Sequence, residues 1–134
     1  MRPKDRKYAR THEWAKLAGE LVAEHETVTV GITDFAVEQL TDLVFVELPH
    51  VGDRFMQGDA YGVIESVKAV SDLYCPVSGV VLEIHPGIED SLDRIGEDPF
   101  GEGWLLKLRM TRPADWNNLL SAAEYEAMLA EEHG

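Results

Sequence analysis

One lysine stands apart among the residues with reactive side chains. Between Leu17 and Asp93 the only basic residues are Arg54 and Lys68, in a stretch that is otherwise acidic. A lysine kept in such surroundings is either one partner of an ion pair or a primary amine that a reaction needs. The position of Lys68 alone leaves both interpretations open.

The other reactive side chains predict neither a catalytic centre nor a metal site. The five histidines are scattered without the close pairing that tetrahedral zinc sites use. Cys75, the only cysteine, lies at the apolar end of a predicted strand beside Pro76, with no neighbouring Lys, Arg or His to lower its thiol pKa. This setting favours a buried small residue over a nucleophile.

Short β-rich runs separated by turn residues dominate the chain and predict a mainly β domain. The six runs are 27–32, 43–48, 60–66, 70–75, 79–84 and 104–110. Two hairpin-like halves would flank residues 66–71. We therefore expect Lys68 at the tip of a turn, with its amine in solvent.

Helical segments interrupt the β pattern at three places. Thr33 followed by Asp34 predicts an N-cap with an acid in the first turn of a helix. Residues 88–95 place three large aliphatic side chains on one face and predict a short helix. The C-terminal stretch predicts two helical pieces, 113–119 and 122–131, the second preceded by a Ser-x-x-Glu capping box.

Composition limits the class of partner and the compartment. The chain of 134 residues carries 12 Lys and Arg against 25 Asp and Glu, a formal net charge of −13. Such an excess of acid repels phosphate backbones and anionic lipid headgroups, so we expect neither nucleic acid nor a membrane as a partner. Five basic residues fall in the first ten positions, and we interpret residues 1–7 as a solvated basic arm rather than a targeting signal. These features predict one cytoplasmic domain over residues 1–134, with residues 113–131 forming its C-terminal helices.

Several short motifs follow one another between residues 7 and 130. They are Thr11-His-Glu-Trp14, Val30-Gly-Ile-Thr-Asp34, Leu43-Val-Phe-Val-Glu-Leu-Pro49, Glu65-Ser-Val-Lys-Ala69, Ser71-Asp-Leu-Tyr74, Pro76-Val-Ser-Gly79, Asp98-Pro-Phe100 and Gly103-Trp104. In this order they resemble the lipoyl-domain family, and within it the H proteins of the glycine cleavage system. Biotin carriers are similar in fold, but they usually have Met on both sides of the lysine, where this chain has Val and Ala.

The resemblance implies a barrel-sandwich hybrid fold and a lipoate cofactor amide-linked to Lys68. The flanks of the attachment motif are then Glu65, Ser66, Val67 and Ala69, and Glu65 is similar to the acid that lipoyl-attaching enzymes read. The disulfide of a lipoyl arm is attacked and reduced in turn by different enzymes. The resemblance therefore implies a carrier that is a substrate of enzymes, not an enzyme.

In the family, the loaded arm folds back into a groove and its amine is held by groups that correspond to Thr11, Glu13 and Asp72. Carboxylates suit that task, because a protonated amine gains charge-assisted hydrogen bonds from them. The implied partners are glycine decarboxylase, aminomethyltransferase, dihydrolipoyl dehydrogenase and a lipoyl ligase or transferase. We expect the carrier to be a monomer.

One segment departs from the family pattern while keeping its length. His85 and Gly96 stand where the family usually has Asn, and Leu92-Asp-Arg94 stands where it has a Pro-Glu-Leu-like step. Two alternatives to glycine cleavage therefore stay open. One is a lipoate-binding carrier of sulfur intermediates for a heterodisulfide-reductase-like sulfur-oxidation complex, and the other is an unmodified interaction module that has lost its arm.

Overall fold

Two antiparallel sheets make up most of the structure, a computed structural model that describes residues 2–17 and 26–133. The strands are β1 (Lys7–Tyr8), β2 (Glu13–Leu17), β3 (Thr27–Ile32), β4 (Leu43–Glu47), β5 (Arg54–Phe55), β6 (Ala60–Ser66), β7 (Val70–Tyr74), β8 (Gly79–Ile84) and β9 (Leu106–Met110). The larger sheet has the order β1-β2-β3-β9-β8-β5, and the smaller sheet has the order β4-β6-β7. Every described pairing between neighbouring strands is antiparallel.

Three α-helices and two 3-10 segments complete the described chain. They are α1 (Asp34–Leu40), α2 (Asp93–Glu97), α3 (Ala122–His133), and the 3-10 segments Ile88–Asp90 and Pro113–Asn118. The Thr33 hydroxyl accepts the Ala36 N–H at 3.3 Å, which confirms the predicted N-cap of α1. The capping box of α3 is also formed, because the Ser121 N–H donates to Glu124 Oε1 at 2.8 Å and the Glu124 N–H donates to Ser121 Oγ at 3.1 Å.

The main core lies between the two sheets and accounts for the alternation in the sequence. Side chains from strands of both sheets are buried together, among them Val28, Val30, Val46, Ile64, Leu73, Leu106 and Leu108. In β3 and β9 the side chains of one face are buried and those of the other face lie nearer to solvent. The predicted mainly β fold with short helices and a C-terminal helix is confirmed.

A second cluster of buried side chains lies under α3. Tyr8 stacks on Tyr125 with ring centroids 4.9 Å apart, and Trp14, Met128 and Leu129 are buried with them. The C-terminal helix is thereby fixed against the β1 and β2 end of the larger sheet. This packing is the reason that α3 contributes to the site described below.

The expectation of a solvated N-terminal arm is wrong for Arg6. The Arg6 side chain is buried, its Nη1 donates to the Phe100 carbonyl at 2.7 Å, and its guanidinium lies 4.6 Å from the ring centroid of Trp14. The aromatic partners come from distant parts of the chain, so a reading of the local charge run could not find them.

Two further boundaries differ from the sequence predictions. The single helix expected over 88–95 is a 3-10 turn and α2 separated at Ser91, whose φ of −139° and ψ of 51° are not helical. Ile88 and Ile95 are nevertheless both fully buried, so the predicted apolar face is present. The last predicted strand begins at Leu106 rather than at residue 104.

Tyr61→Phe is expected to raise the free energy of unfolding by about 1 kcal/mol, because an unpaired buried polar group costs about 1–3 kcal/mol. Tyr61 Oη is buried and has no hydrogen-bond partner within the described part of the chain. The control is Tyr8→Phe, which removes the 2.6 Å bond from Tyr8 Oη to the Pro3 carbonyl and should lower stability. Urea unfolding measures both, and a loss of stability in Tyr61→Phe would contradict the prediction.

Candidate functional site

The turn between β6 and β7 presents Lys68 to solvent. The Ser66 N–H donates to the Ala69 carbonyl at 2.8 Å and closes the turn around Val67 and Lys68. Lys68 is exposed, and its amine makes no ion pair or hydrogen bond among residues 2–17 and 26–133. The sequence-based prediction of an exposed amine at the tip of a turn is confirmed.

Two further hydrogen bonds fix this turn. The buried Ser66 hydroxyl accepts the Ala69 N–H at 3.0 Å, so the side chain satisfies a backbone donor inside the turn. The Val67 N–H donates, at 3.0 Å, to the carbonyl of Asp42, which lies in the connection between α1 and β4. The contact with Asp42 is a backbone contact between distant segments, so no motif in the sequence indicated it.

Thr11 and Glu13 meet at the start of β2. The Thr11 hydroxyl donates to Glu13 Oε1, and the Tyr74 N–H donates to Glu13 Oε2 at 3.3 Å. Only 2% of Glu13 is exposed, and this burial raises its pKa to about 7 although both hydrogen bonds act in the opposite direction. A cation brought next to this carboxyl would favour its ionised form, since the opposite charge would offset the burial.

A groove of about 320 Å³ opens beside this pair. It is lined by Thr11, His12, Phe35, Ala36, Gln39, Leu40 and Ser71. The α1 helix supplies most of the wall, and polar side chains from the β1–β2 connection and from β7 complete it. An extended aliphatic chain with a polar end fits this mixed lining.

Asp72 does not share the position of the other two residues expected to bind the amine. It is exposed on β7 opposite Val63, and within the described ranges its carboxylate makes no hydrogen bond to Thr11 or Glu13. The preceding residue, Ser71, lines the groove instead. Because successive side chains of a strand point to opposite faces, the period of two was the signal that separates Ser71 from Asp72.

The remaining features considered in the sequence are the Cys75 thiol, a metal site and a membrane-spanning helix. Cys75 is buried as expected, and burial raises the pKa of its thiol to about 12, so the thiolate is scarce near neutral pH. In the described residues no three His, Cys, Asp or Glu side chains are grouped so that they could bind a metal ion. No helix there has the length and apolar character needed to cross a membrane.

Comparison with known proteins gives one consistent result over nearly the whole chain. A family model described as glycine cleavage H-protein matches residues 6–132. The glycine cleavage system H protein of Rubrobacter xylanophilus is 52% identical over 130 residues, which cover 97% of this chain and 96% of the relative. The protein of the same name from Symbiobacterium thermophilum is 50% identical over 129 residues, covering 96% of each. The crystal structure of a glycine cleavage system H protein from Mycobacterium marinum aligns with a TM-score of 0.87 at 41% identity, covering 96% of this chain and 99% of that one.

Proposed function

We propose that this chain, which belongs to the glycine cleavage H-protein family and is thus a lipoyl carrier, bears its lipoyl group on Lys68. It shuttles the methylamine group of glycine between glycine decarboxylase, aminomethyltransferase and dihydrolipoyl dehydrogenase. The observation that carries the proposal is the Lys68 amine, exposed and without a partner among the described residues, at the tip of a fixed turn inside the motif Glu65-Ser-Val-Lys-Ala69.

Lys68 and its turn are suited to modification by a lipoyl ligase or transferase. When bound, a lipoyl group supplies a disulfide whose sulfurs take up the methylamine and the electrons of the reaction. The chain itself supplies the amine that forms the amide bond, and Ser66 and Asp42 hold the turn that exposes Lys68. Glu65, at the end of β6, is the acid that the attaching enzyme reads in this proposal.

The groove accommodates the loaded arm. Its apolar wall suits the aliphatic chain. Thr11 lines the groove and is hydrogen-bonded to the buried Glu13, whose carboxylate is the counterion of the protonated methylamine group in this proposal. Asp72 lies outside this groove, on the face of β7 opposite to Ser71, and the amine is assigned to Thr11 and Glu13. Enclosure of the arm in this groove keeps water away from the labile N–C–S linkage until transfer.

Ser66→Ala is expected to lower the kcat/KM of lipoylation by about fivefold, because the turn loses both hydrogen bonds between the Ser66 hydroxyl and Ala69 and with them part of its preorganisation. The matched control is Ser71→Ala on the same hairpin, whose hydroxyl, within the described ranges, makes one hydrogen bond, to the Asp72 carbonyl at 3.5 Å. That variant should be modified at the parent rate. Equal rates for Ser66→Ala and the parent would contradict the role given to the Ser66 hydroxyl.

Exchange of the glycine carboxyl group with bicarbonate tests the proposed function. Fully lipoylated chain, glycine decarboxylase and pyridoxal phosphate are incubated with glycine and labelled bicarbonate, and label in glycine is measured. We expect exchange with the lipoylated chain and only background with the unmodified chain. Background exchange from the lipoylated chain would overturn glycine cleavage and leave the sulfur-carrier alternative to be tested.

A further inference from the structure

We propose that Tyr125, on the C-terminal helix, is a positioning residue for the Thr11–Glu13 pair, and that it acts through His12. The inference rests on the proposed function of the groove, since it concerns how the amine-binding pair is kept in place. It assigns part of the site to a helix that lies outside both sheets.

The Tyr125 hydroxyl connects three segments of the chain. Tyr125 Oη lies 2.7 Å from His12 Nδ1 and 2.8 Å from Thr33 Oγ1. Tyr125 and Thr33 are fully buried, whereas His12 lines the groove. A chain of hydrogen bonds therefore leads from the groove wall to α3 and to the first turn of α1.

The available donors and acceptors decide which group donates in each of these hydrogen bonds. Thr33 Oγ1 already accepts the Ala36 N–H, so the buried Thr33 hydroxyl satisfies its own proton by donating to Tyr125 Oη. The Tyr125 proton is then donated to His12 Nδ1. This order places the proton of neutral His12 on Nε2.

His12 needs such support because its backbone is strained. Its φ of 78° lies in the left-handed region, which non-glycine residues rarely adopt and which persists only when the surroundings fix it. The His12 N–H donates to the Ala9 carbonyl and the Thr33 N–H donates to the His12 carbonyl, each at 3.0 Å. The hydrogen bond to Tyr125 also holds the His12 side chain in place.

The conformation of His12 decides whether its two neighbours meet. Thr11 and Glu13 flank His12 directly, and their side chains are joined by a hydrogen bond. If His12 relaxes toward an extended φ, the Thr11 and Glu13 side chains separate and the Glu13 carboxyl gains water. Tyr125 thus preserves the buried carboxyl that the loaded arm needs.

Tyr125→Phe tests this role, with Tyr8→Phe as the matched control. The first variant removes the hydroxyl but keeps the ring that stacks on Tyr8; the second removes a buried hydroxyl from the same stack, one bonded to Pro3 and not to His12. In unlipoylated, isotope-labelled protein, NMR reports the tautomer of His12 and the titration midpoint of Glu13. We expect Nε2–H in the parent and in Tyr8→Phe, and a mixture of tautomers with a lower Glu13 midpoint in Tyr125→Phe.

The methylamine-loaded protein gives a third measurement. Release of formaldehyde from the loaded arm should be about fivefold faster in Tyr125→Phe than in Tyr8→Phe, because the Thr11–Glu13 pair no longer holds the amine. If Tyr125→Phe fails to fold, His12→Phe removes the acceptor of the same hydrogen bond and should also lower the Glu13 midpoint. An unchanged tautomer and Glu13 midpoint in the folded variants would overturn the inference. Since both NMR measurements use unlipoylated protein, this failure is distinct from a failure of the proposed function.

Discussion

Replacing Lys68 by arginine is expected to abolish lipoylation and, with it, all carrier activity. Arginine keeps the positive charge and much of the length, but its guanidinium stays protonated and does not form the amide. The turn itself should be unaffected, because it is closed by Ser66 and Ala69 and the Lys68 side chain has no partner among the described residues. Intact mass after incubation with a lipoyl ligase should increase by one lipoyl group in the parent and not at all in Lys68→Arg.

Lys16→Arg provides the matched control for this loss. Lys16 is an exposed lysine on β2 whose ion pair with Asp5, at 3.4 Å, an arginine can keep. We expect full modification and full glycine–bicarbonate exchange from Lys16→Arg, and background exchange from Lys68→Arg. The unfolding free energy of Lys68→Arg should stay within about 0.5 kcal/mol of the parent, as for surface substitutions generally. A lipoyl mass gain in Lys68→Arg would show that another lysine is the attachment site.

Two of the strands that sequence analysis predicted show a local alternation of buried and less buried side chains. In β3 and β9 the buried side chains recur at every second residue, and turn residues bound the runs. Strand β2 was missed because Glu13, Trp14 and Ala15 are all buried, which breaks the period of two. Trp14 is covered on one side by α3 and its neighbours, so its burial depends on a segment more than a hundred residues away.

The Lys68 turn and the groove also differ in how much of each the sequence predicts. Lys68 and its flanks lie within one turn, so their residue types and the family resemblance were sufficient to identify them. The groove is assembled from the β1–β2 connection, α1 and Ser71, and only tertiary structure brings these together. Tyr125 is 113 residues from His12 in sequence, and a tyrosine in an amphipathic C-terminal helix carries no local signal of that contact.

Glu13 is expected to lower the stability of the folded chain at and above neutral pH. Burial raises its pKa from 4.5 to about 7, so between these values the folded state keeps a proton that the unfolded chain has released. The free energy of unfolding therefore falls as pH rises through this window, because the folded state binds more protons there. The stabilising, protonated form is complete below about pH 4.5 and is lost above about pH 7.

Glu13→Gln should remove this loss of stability. The same substitution should also weaken the binding of the methylamine group in the groove. Glutamine is neutral at every pH, and its amide can still accept the Tyr74 N–H while donating to the Thr11 hydroxyl. Urea unfolding is expected to give equal stabilities for parent and variant near pH 4.5 and an advantage for the variant of about 2–3 kcal/mol at pH 8. The control Glu89→Gln, at an exposed carboxylate, should not reproduce this divergence.

The same substitution removes the negative charge that the protonated amine of the loaded arm needs. Glu13→Gln should therefore release formaldehyde from the methylamine-loaded protein about tenfold faster than the parent at pH 8, a loss that corresponds to one charge-assisted hydrogen bond. In the parent this release should also accelerate in acid, because protonation of Glu13 has the same effect as the substitution. The bound amine favours the ionised carboxylate, so the acceleration should begin below the pKa of about 7 of the unloaded protein. A variant that is both more stable and less protective would show that the chain keeps a destabilising buried carboxyl because the arm requires it. Protection retained in full by Glu13→Gln would remove Glu13 from the amine site, whatever its effect on stability.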